Sequence, residues 1–324
     1  MADAGWPACA AAPGDDPLAG AVALFVVCLD ASSDGWTAAM RDGLRAAAGP
    51  AARVLEWRDG MPDAELSDVE LVFCWNPPPG LLRRLPRLRL VASLGAGVDH
   101  CTAEHATVAS AGVSLVRCVD PLAARRLADY VLWAALHLSR RMEEFAEAQA
   151  RCLWDSSPQS ADPGETRVGV MGLGAMGCAA AECLARNGFA VSCWSRTGAA
   201  ERPPPRGVPA ERVFAGDEAL EAFLSAVDVL VCALPLTDAT RGLLSARRLR
   251  SLARGASFIN VGRADCVVHD DLLAALDDGH LSRAVLDVAP QEPLPGACAG
   301  MCVRTLLTRR SPVQRMRRSG GTGG

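Results

Sequence analysis

The 324-residue chain contains no lysine; every one of its 33 basic side chains is arginine. That absence excludes Schiff-base chemistry on a lysine. With the abundant Ala, Gly and Pro it fits a GC-rich coding sequence. No C-x-x-C pair occurs among the 13 cysteines, which are scattered through apolar segments such as those holding Cys28, Cys74, Cys193 and Cys232. They read as reduced, buried thiols, not as a disulfide framework or a zinc site, and no metal is expected. No apolar run approaches the 18 or more residues of a membrane span, although half the residues are hydrophobic. Residues 1–20 hold Asp3, Asp15 and Asp16 but no arginine, so they match neither a signal peptide nor a transit peptide. The expectation is a cytoplasmic protein without a membrane partner. Residues 297–324 lack acids and carry six arginines; taking that +6 from the overall −4 leaves −10 for residues 1–296. An acidic body argues against nucleic-acid binding.

What is present is most informative at residues 168–177. Gly172, Gly174 and Gly177 form G-x-G-x-x-G between an apolar run (Arg167–Met171) and a helical pattern (Ala179–Arg186). The first glycine permits a tight turn. The second lets a pyrophosphate approach the backbone, and the third lets helix pack on strand. The helix start, with Ala175 and Met176, offers amide donors and a positive dipole end. A second apolar strand (Phe189–Trp194) leads into Ser195, Arg196 and Thr197, where an NAD-specific fold places Asp or Glu. A hydroxyl and a guanidinium instead suit a 2′-phosphate, so the expected cofactor is NADP(H).

Short apolar runs alternate with helical patterns along the chain, which implies parallel sheets flanked by helices. Leu24–Leu29, Val54–Trp57, Leu71–Trp75, Leu90–Leu94 and Val113–Val116 read as the strands of a first unit. Leu122–Arg151, free of Gly and Pro, reads as one long helix crossing into a second. Further strands are expected at Asp228–Leu234, Ser257–Val261 and Ala284–Val288, with Asp270 capping a helix. The predicted fold is α/β: two Rossmann-like doubly wound domains with a cleft between them. Residues 1–120 form a flavodoxin-like substrate domain, 121–296 a dinucleotide domain, and 297–324 a basic, disordered tail.

Strand ends in such sheets face the ligand crevice. Those ends carry Gly95, Ala96 and Gly97; Leu234 and Pro235; Val261, Gly262 and Arg263; and Asp287, with Glu292 beyond. Taken in order, Leu94–Asp99, the glycine motif, Leu234–Thr237, Asn260–Arg263, Leu286–Val288 and Glu292–Pro295 resemble the D-isomer-specific 2-hydroxyacid dehydrogenases. Residues 193–197 look most like the branch that reduces glyoxylate and hydroxypyruvate with NADPH. The resemblance covers roughly residues 20–295 and implies a role for each position. Arg263 binds the substrate carboxylate and polarises its 2-oxo group, and Gly95, Ala96 and Gly97 hold that carboxylate through backbone amides. Glu292 orients a catalytic histidine. Asp287 contacts the nicotinamide carboxamide, Leu234 and Pro235 line the adenosine side, and Val261 and Gly262 also lie against the cofactor. A homodimer through the crossover helix is implied as well.

Two departures stand out. Ala264 occupies a position where the family usually has Gly. More seriously, the family continues after Glu-Pro-Leu-Pro into a Pro-His segment and a return helix, and here no histidine follows His280. His100, His105, His137 and His269 match no catalytic position and read as surface or core residues. The abrupt change of composition after Pro295 suggests a shifted frame or alternative transcript. Positioned proton transfer contributes roughly 10²–10⁴ in rate, so a slow or inactive reductase that still binds cofactor is expected. A β-hydroxyacid dehydrogenase or imine reductase relative, and a non-catalytic NADP-binding protein, are the alternatives.

Overall fold

The computed structural model of the chain describes residues 21–27, 34–48, 50, 52–156, 161–197, 203–291 and 305–308. The chain divides after Val119 into two compact units.

In the first unit, β1 (Val22–Val27), β2 (Arg53–Glu56), β3 (Leu71–Trp75), β4 (Leu90–Ser93) and β5 (Ser114–Arg117) form a wholly parallel sheet in the order β2-β1-β3-β4-β5. This is the flavodoxin-like winding, which places ligands beyond the carboxyl ends of the strands. The connections hold helices α1 (Asp34–Ala48), α2 (Asp63–Leu66) and α3 (Asp99–Ala106). Leu24, Val26, Val72, Cys74, Val91 and Cys101 are fully buried in one core. Strands covered on both faces read as continuous apolar runs, so the sequence marked them to within a residue or two.

The second unit opens with α4 (Pro121–Ser139). Asp120 caps it, its carboxylate accepting from the amides of Leu122 (2.9 Å) and Ala123 (3.2 Å), with Pro121 at the first helical position. There follow α5 (Met142–Ala150), β6 (Arg167–Met171), α6 (Ala175–Arg186), β7 (Ala190–Ser195), β8 (Val213–Ala215), α7 (Leu220–Ser225), β9 (Val229–Cys232), α8 (Ala246–Arg250), β10 (Ala256–Asn260), α9 (His269–Asp277), β11 (Leu281–Leu286) and β12 (Thr305–Thr308). The sheet order is β12-β11-β10-β9-β6-β7-β8, parallel except for β12. The winding starts at β6, runs out through β7 and β8, and resumes on the other side at β9. That reversal is the switch point at which dinucleotides bind in doubly wound sheets. Separate cores cover the two faces. Met171, Phe223, Leu230, Phe258 and Leu276 build one. Val131, Ala135, Val170, Ala181, Val231 and Ile259 build the other, where α4 lies on α6 through small residues.

Three sequence expectations are corrected. The long helix over Leu122–Arg151 is two helices, broken where Arg141 adopts φ 53°. A non-glycine residue in that region costs about 1–3 kcal/mol. Partner contacts offset it: Arg283 of β11 pairs with Glu143 (2.7 Å) and Glu144 (2.5 Å), and Arg141 itself reaches Glu144. Burial pushes the Glu143 carboxyl up, while Arg283 pulls it back down. Nothing local marks the break, because its cause lies some 140 residues away in the chain. Secondly, Asp270 is not the cap of α9; Val268 holds that position and Asp270 sits in the first turn, where its charge still favours the helix dipole. Thirdly, the tail expected to be disordered contributes Thr305–Thr308 as an antiparallel edge strand on β11, Ala284 facing Leu307 and Val285 facing Leu306. The Thr-Leu-Leu-Thr run has the β-branched and apolar character that an open sheet edge accepts.

Candidate functional site

At the carboxyl end of β6 the chain turns sharply through Gly172, whose φ of 97° is open to glycine and strained for any other residue. Gly177 then lies so close beneath it that a Cβ there would stand 1.7 Å from the Gly172 carbonyl oxygen. Helix α6 is thereby drawn onto the turn. Gly174 differs: no atom lies within 4 Å of its notional Cβ. It is exposed, and as the N-cap of α6 it brings no side-chain cap. Ala175 and Met176 follow as the first helical residues. The result is an uncapped helix start under open space, which is what a pyrophosphate requires.

The neighbouring strand ends surround this turn. Leu234 is buried and Pro235 exposed beyond β9. After β10, Val261 is buried and Gly262 packs against Leu234, where a Cβ would lie 2.6 Å from the Leu234 carbonyl oxygen. Arg263 follows, half-buried. Its backbone is fixed by Asn260, only 1% exposed, whose Nδ2 donates to the Arg263 carbonyl (3.1 Å) while its Oδ1 accepts from the Gly262 amide (3.1 Å). Ala264 enters a short 3₁₀ turn without a positive φ, so alanine is accommodated there. Asp287 sits just past β11, its amide bonded to the Asn260 carbonyl at 2.9 Å. At the end of β7, Ser195 is half-buried and Arg196 and Thr197 are exposed. Beneath the Leu234 and Arg263 loops lies a thiol pair that sequence reading did not single out. Cys232 donates to Cys266, a bond that raises the Cys232 thiol and lowers that of Cys266.

The first unit brings its own strand-end loop. Gly95, Ala96 and Gly97 follow β4 and are partly exposed. A Cβ on Gly95 would lie 2.5 Å from the Trp75 ring, so only glycine fits. The buried Ser93 hydroxyl lies within hydrogen-bond distance of the carbonyls of Gly97 (2.7 Å) and Gly95 (3.1 Å), and accepts from the Gly95 amide (3.2 Å). The Gly95 amide is thus committed internally. Among the described residues, the Ala96 and Gly97 amides donate to no protein acceptor. His100, set aside on sequence grounds, stands in this network, 3.0 Å from Ser93 Oγ. Of the other expected site residues, Glu292 lies outside the described residues. Among the described residues no group of three His, Cys, Asp or Glu side chains is placed to hold a metal ion, and no helix is long and apolar enough to cross a membrane.

A doubly wound sheet with a glycine turn at its switch point defines the second unit as a dinucleotide-binding α/β fold. The chain belongs to the D-isomer-specific 2-hydroxyacid dehydrogenase family, a family of NAD(P)-dependent oxidoreductases, and its residues 132–305 match the family's NAD-binding domain. Among its relatives, a glyoxylate/hydroxypyruvate reductase A of Yersinia enterocolitica is 36% identical over 250 residues, 76% of each chain. A D-isomer-specific 2-hydroxyacid dehydrogenase from Xanthobacter autotrophicus, solved with NADPH and MES, is 33% identical and covers 93% of each chain at a TM-score of 0.68. An NADPH-dependent glyoxylate/hydroxypyruvate reductase from Sinorhizobium meliloti, solved with NADP and sulfate, is 29% identical, with 85% of this chain and 83% of that one covered at a TM-score of 0.71.

Proposed function

We propose that this chain binds NADPH and reduces a small 2-oxo acid, glyoxylate or hydroxypyruvate, to the D-2-hydroxy acid, at a rate limited by a missing proton donor. The observation that carries the reading is the gathering of Gly172–Gly177, Leu234–Pro235, Val261–Arg263 and Asp287 at the carboxyl ends of four neighbouring strands. The cofactor fits the residues present, since the space over Gly174 admits a phosphate that any Cβ would crowd. Ser195, Arg196 and Thr197 at the end of β7 would hold the 2′-phosphate, and Arg rather than Asp or Glu there favours NADPH over NADH.

When bound, the cofactor supplies a hydride. The chain's own residues bind and polarise the acceptor. The Arg263 guanidinium, which donates to the Gly262 carbonyl at 3.0 Å and whose backbone Asn260 holds, pairs with the substrate carboxylate and withdraws charge from the oxo oxygen. On the first unit, the Ala96 and Gly97 amides offer donors to a carboxylate. The alkoxide then needs a proton, and no histidine follows His280 to give it. Water supplies it, which costs about 10²–10⁴ in rate. At the limit of that loss the chain is an NADP-binding protein with no useful turnover.

A second copy would cover the outer side of α4 and α5, where Leu122, Trp133, Leu136, Met142 and Phe145 are exposed. We place the protein in the cytoplasm, a setting that agrees with the free thiols among its described residues.

Calorimetric titration with NADPH and NADH, followed by NADPH oxidation with glyoxylate and hydroxypyruvate, tests the reading. NADPH should bind at least tenfold more tightly than NADH. Replacing Arg196 with Glu should erase that preference, a change of about 1.5–3 kcal/mol for a charge-assisted bond. Turnover at ordinary enzyme rates would refute the missing-donor reading, and no affinity for NADPH would refute the whole.

A further inference from the structure

His100 lies on the first turn of α3, immediately after the Gly95–Gly97 loop. Its two ring nitrogens are both engaged. Nδ1 accepts a hydrogen bond from the backbone amide of Asn76 at 3.1 Å, and Nε2 is 3.0 Å from Ser93 Oγ. Asn76 carries φ 50°, a conformation asparagine tolerates better than most residues. The ring rests on Trp75, centroids 4.4 Å apart, and Trp75 in turn closes the space over Gly95. An amide N–H pointing at Nδ1 means that Nδ1 bears no proton. The imidazole proton is therefore on Nε2, and it is donated to Ser93. Ser93 Oγ accepts from His100 and from the Gly95 amide, and its single proton goes to the nearer carbonyl, Gly97 at 2.7 Å. The chain His100 Nε2–H to Ser93 Oγ–H to Gly97 C=O spans the loop from outside to inside. Among the described residues it leaves the Ala96 and Gly97 amides as the loop's donors without a protein acceptor.

We propose that His100 is a positioning residue for carboxylate binding: through Ser93 it fixes the Gly95–Gly97 loop in the conformation whose amides take the substrate carboxylate. This rests on the reading of that loop as the carboxylate site. The side chain does not touch the substrate. Its effect is to remove alternative loop conformations, so its loss falls on substrate affinity and leaves cofactor affinity alone.

The test uses the full-length protein loaded with NADPH and titrated with oxalate, a non-reducible mimic of a two-carbon 2-oxo acid. Calorimetry gives the affinity, and amide NMR shifts at Ala96 and Gly97 report whether the loop is the site. His100→Ala should weaken oxalate binding about tenfold, the value of one well-made hydrogen bond. NADPH affinity should be unchanged. His100→Gln, whose terminal NH₂ can replace the Nε2 donor, should recover binding to within about threefold of the native chain. Ser93→Ala and the Ser93→Ala/His100→Ala double variant should match His100→Ala, because the two groups act in series. Imidazole ¹⁵N shifts should show the Nε2-protonated form. If the Ala96 and Gly97 amides respond to oxalate but His100→Ala binds it as the native chain does, the role of His100 is overturned and the loop reading stands. If His100→Gln is as weak as His100→Ala, the Nε2 donor is not what acts and the proposal is overturned. If the two amides do not respond at all, the loop reading itself has failed.

Discussion

Asn260 Nδ2 donates to the carbonyl oxygen of Arg263 across 3.1 Å, while Oδ1 of the same side chain holds the Gly262 amide. One buried amide thus fixes the backbone that carries the Arg263 guanidinium, the group proposed to bind substrate. Replacing it with alanine orphans a buried N–H and a carbonyl together. Asn260→Ala should lower unfolding free energy by about 1–3 kcal/mol in urea titration. It should also weaken oxalate binding more than NADPH binding. Equal losses for both ligands would mean that the amide supports the whole unit and not the Arg263 loop.

The close approach of Gly177 to Gly172 makes a sharper expectation. With only 1.7 Å to the Gly172 carbonyl oxygen, an alanine Cβ must push α6 off the turn. Gly177→Ala should cost about 1–3 kcal/mol in stability and abolish NADPH binding in fluorescence titration. Gly174→Ala, with open space at that position, should retain native stability and lose only cofactor affinity.

Asp228 receives three bonds from Arg167: Nε at 2.9 Å, Nη2 at 2.5 Å and the backbone amide at 3.0 Å. The Arg167 guanidinium holds the Asp228 carboxyl below its ordinary value of 3.8. A carboxyl depressed in the native state adds stability above its unfolded pKa, and that contribution is lost as pH falls through the native value. Urea midpoints measured from about pH 5 downwards should therefore drop more steeply for the native chain than for Asp228→Asn. Parallel curves would show that the pair contributes nothing to acid stability.

Thiol reactivity should separate Cys152 from Cys193. Cys152 is exposed, whereas burial pushes the Cys193 thiol up to about 12. At neutral pH an alkylating reagent should mark Cys152 within minutes and leave Cys193 untouched until the chain unfolds. Mass spectrometry of timed samples reads this directly; early labelling of Cys193 would contradict the burial.

Much of the candidate site was legible because it lies in short local patterns. The glycine turn, Leu234–Pro235, Asn260–Arg263 and Asp287 each sit directly after an apolar run, and runs buried on both faces are easily recognised. His100 was passed over because its partners are remote. Asn76 lies 24 residues upstream and reaches it only once β3 and β4 pair. The break at Arg141 was equally hidden, since an alanine-rich stretch without Gly or Pro has every local reason to continue as helix. The edge strand at Thr305–Thr308 was masked by the arginines around it.

By itself, the order of residues determined the alternation of strand and helix, the winding of two parallel sheets and the position of the dinucleotide turn. Those follow from apolar periodicity and from backbone limits that only glycine escapes. The tertiary structure alone decided which helix stops at Arg141, which tail segment joins the sheet, and how Ser93 and His100 come to grip one loop. Each of these depends on groups far apart in the chain, whose mutual energy exists only after the sheets have assembled.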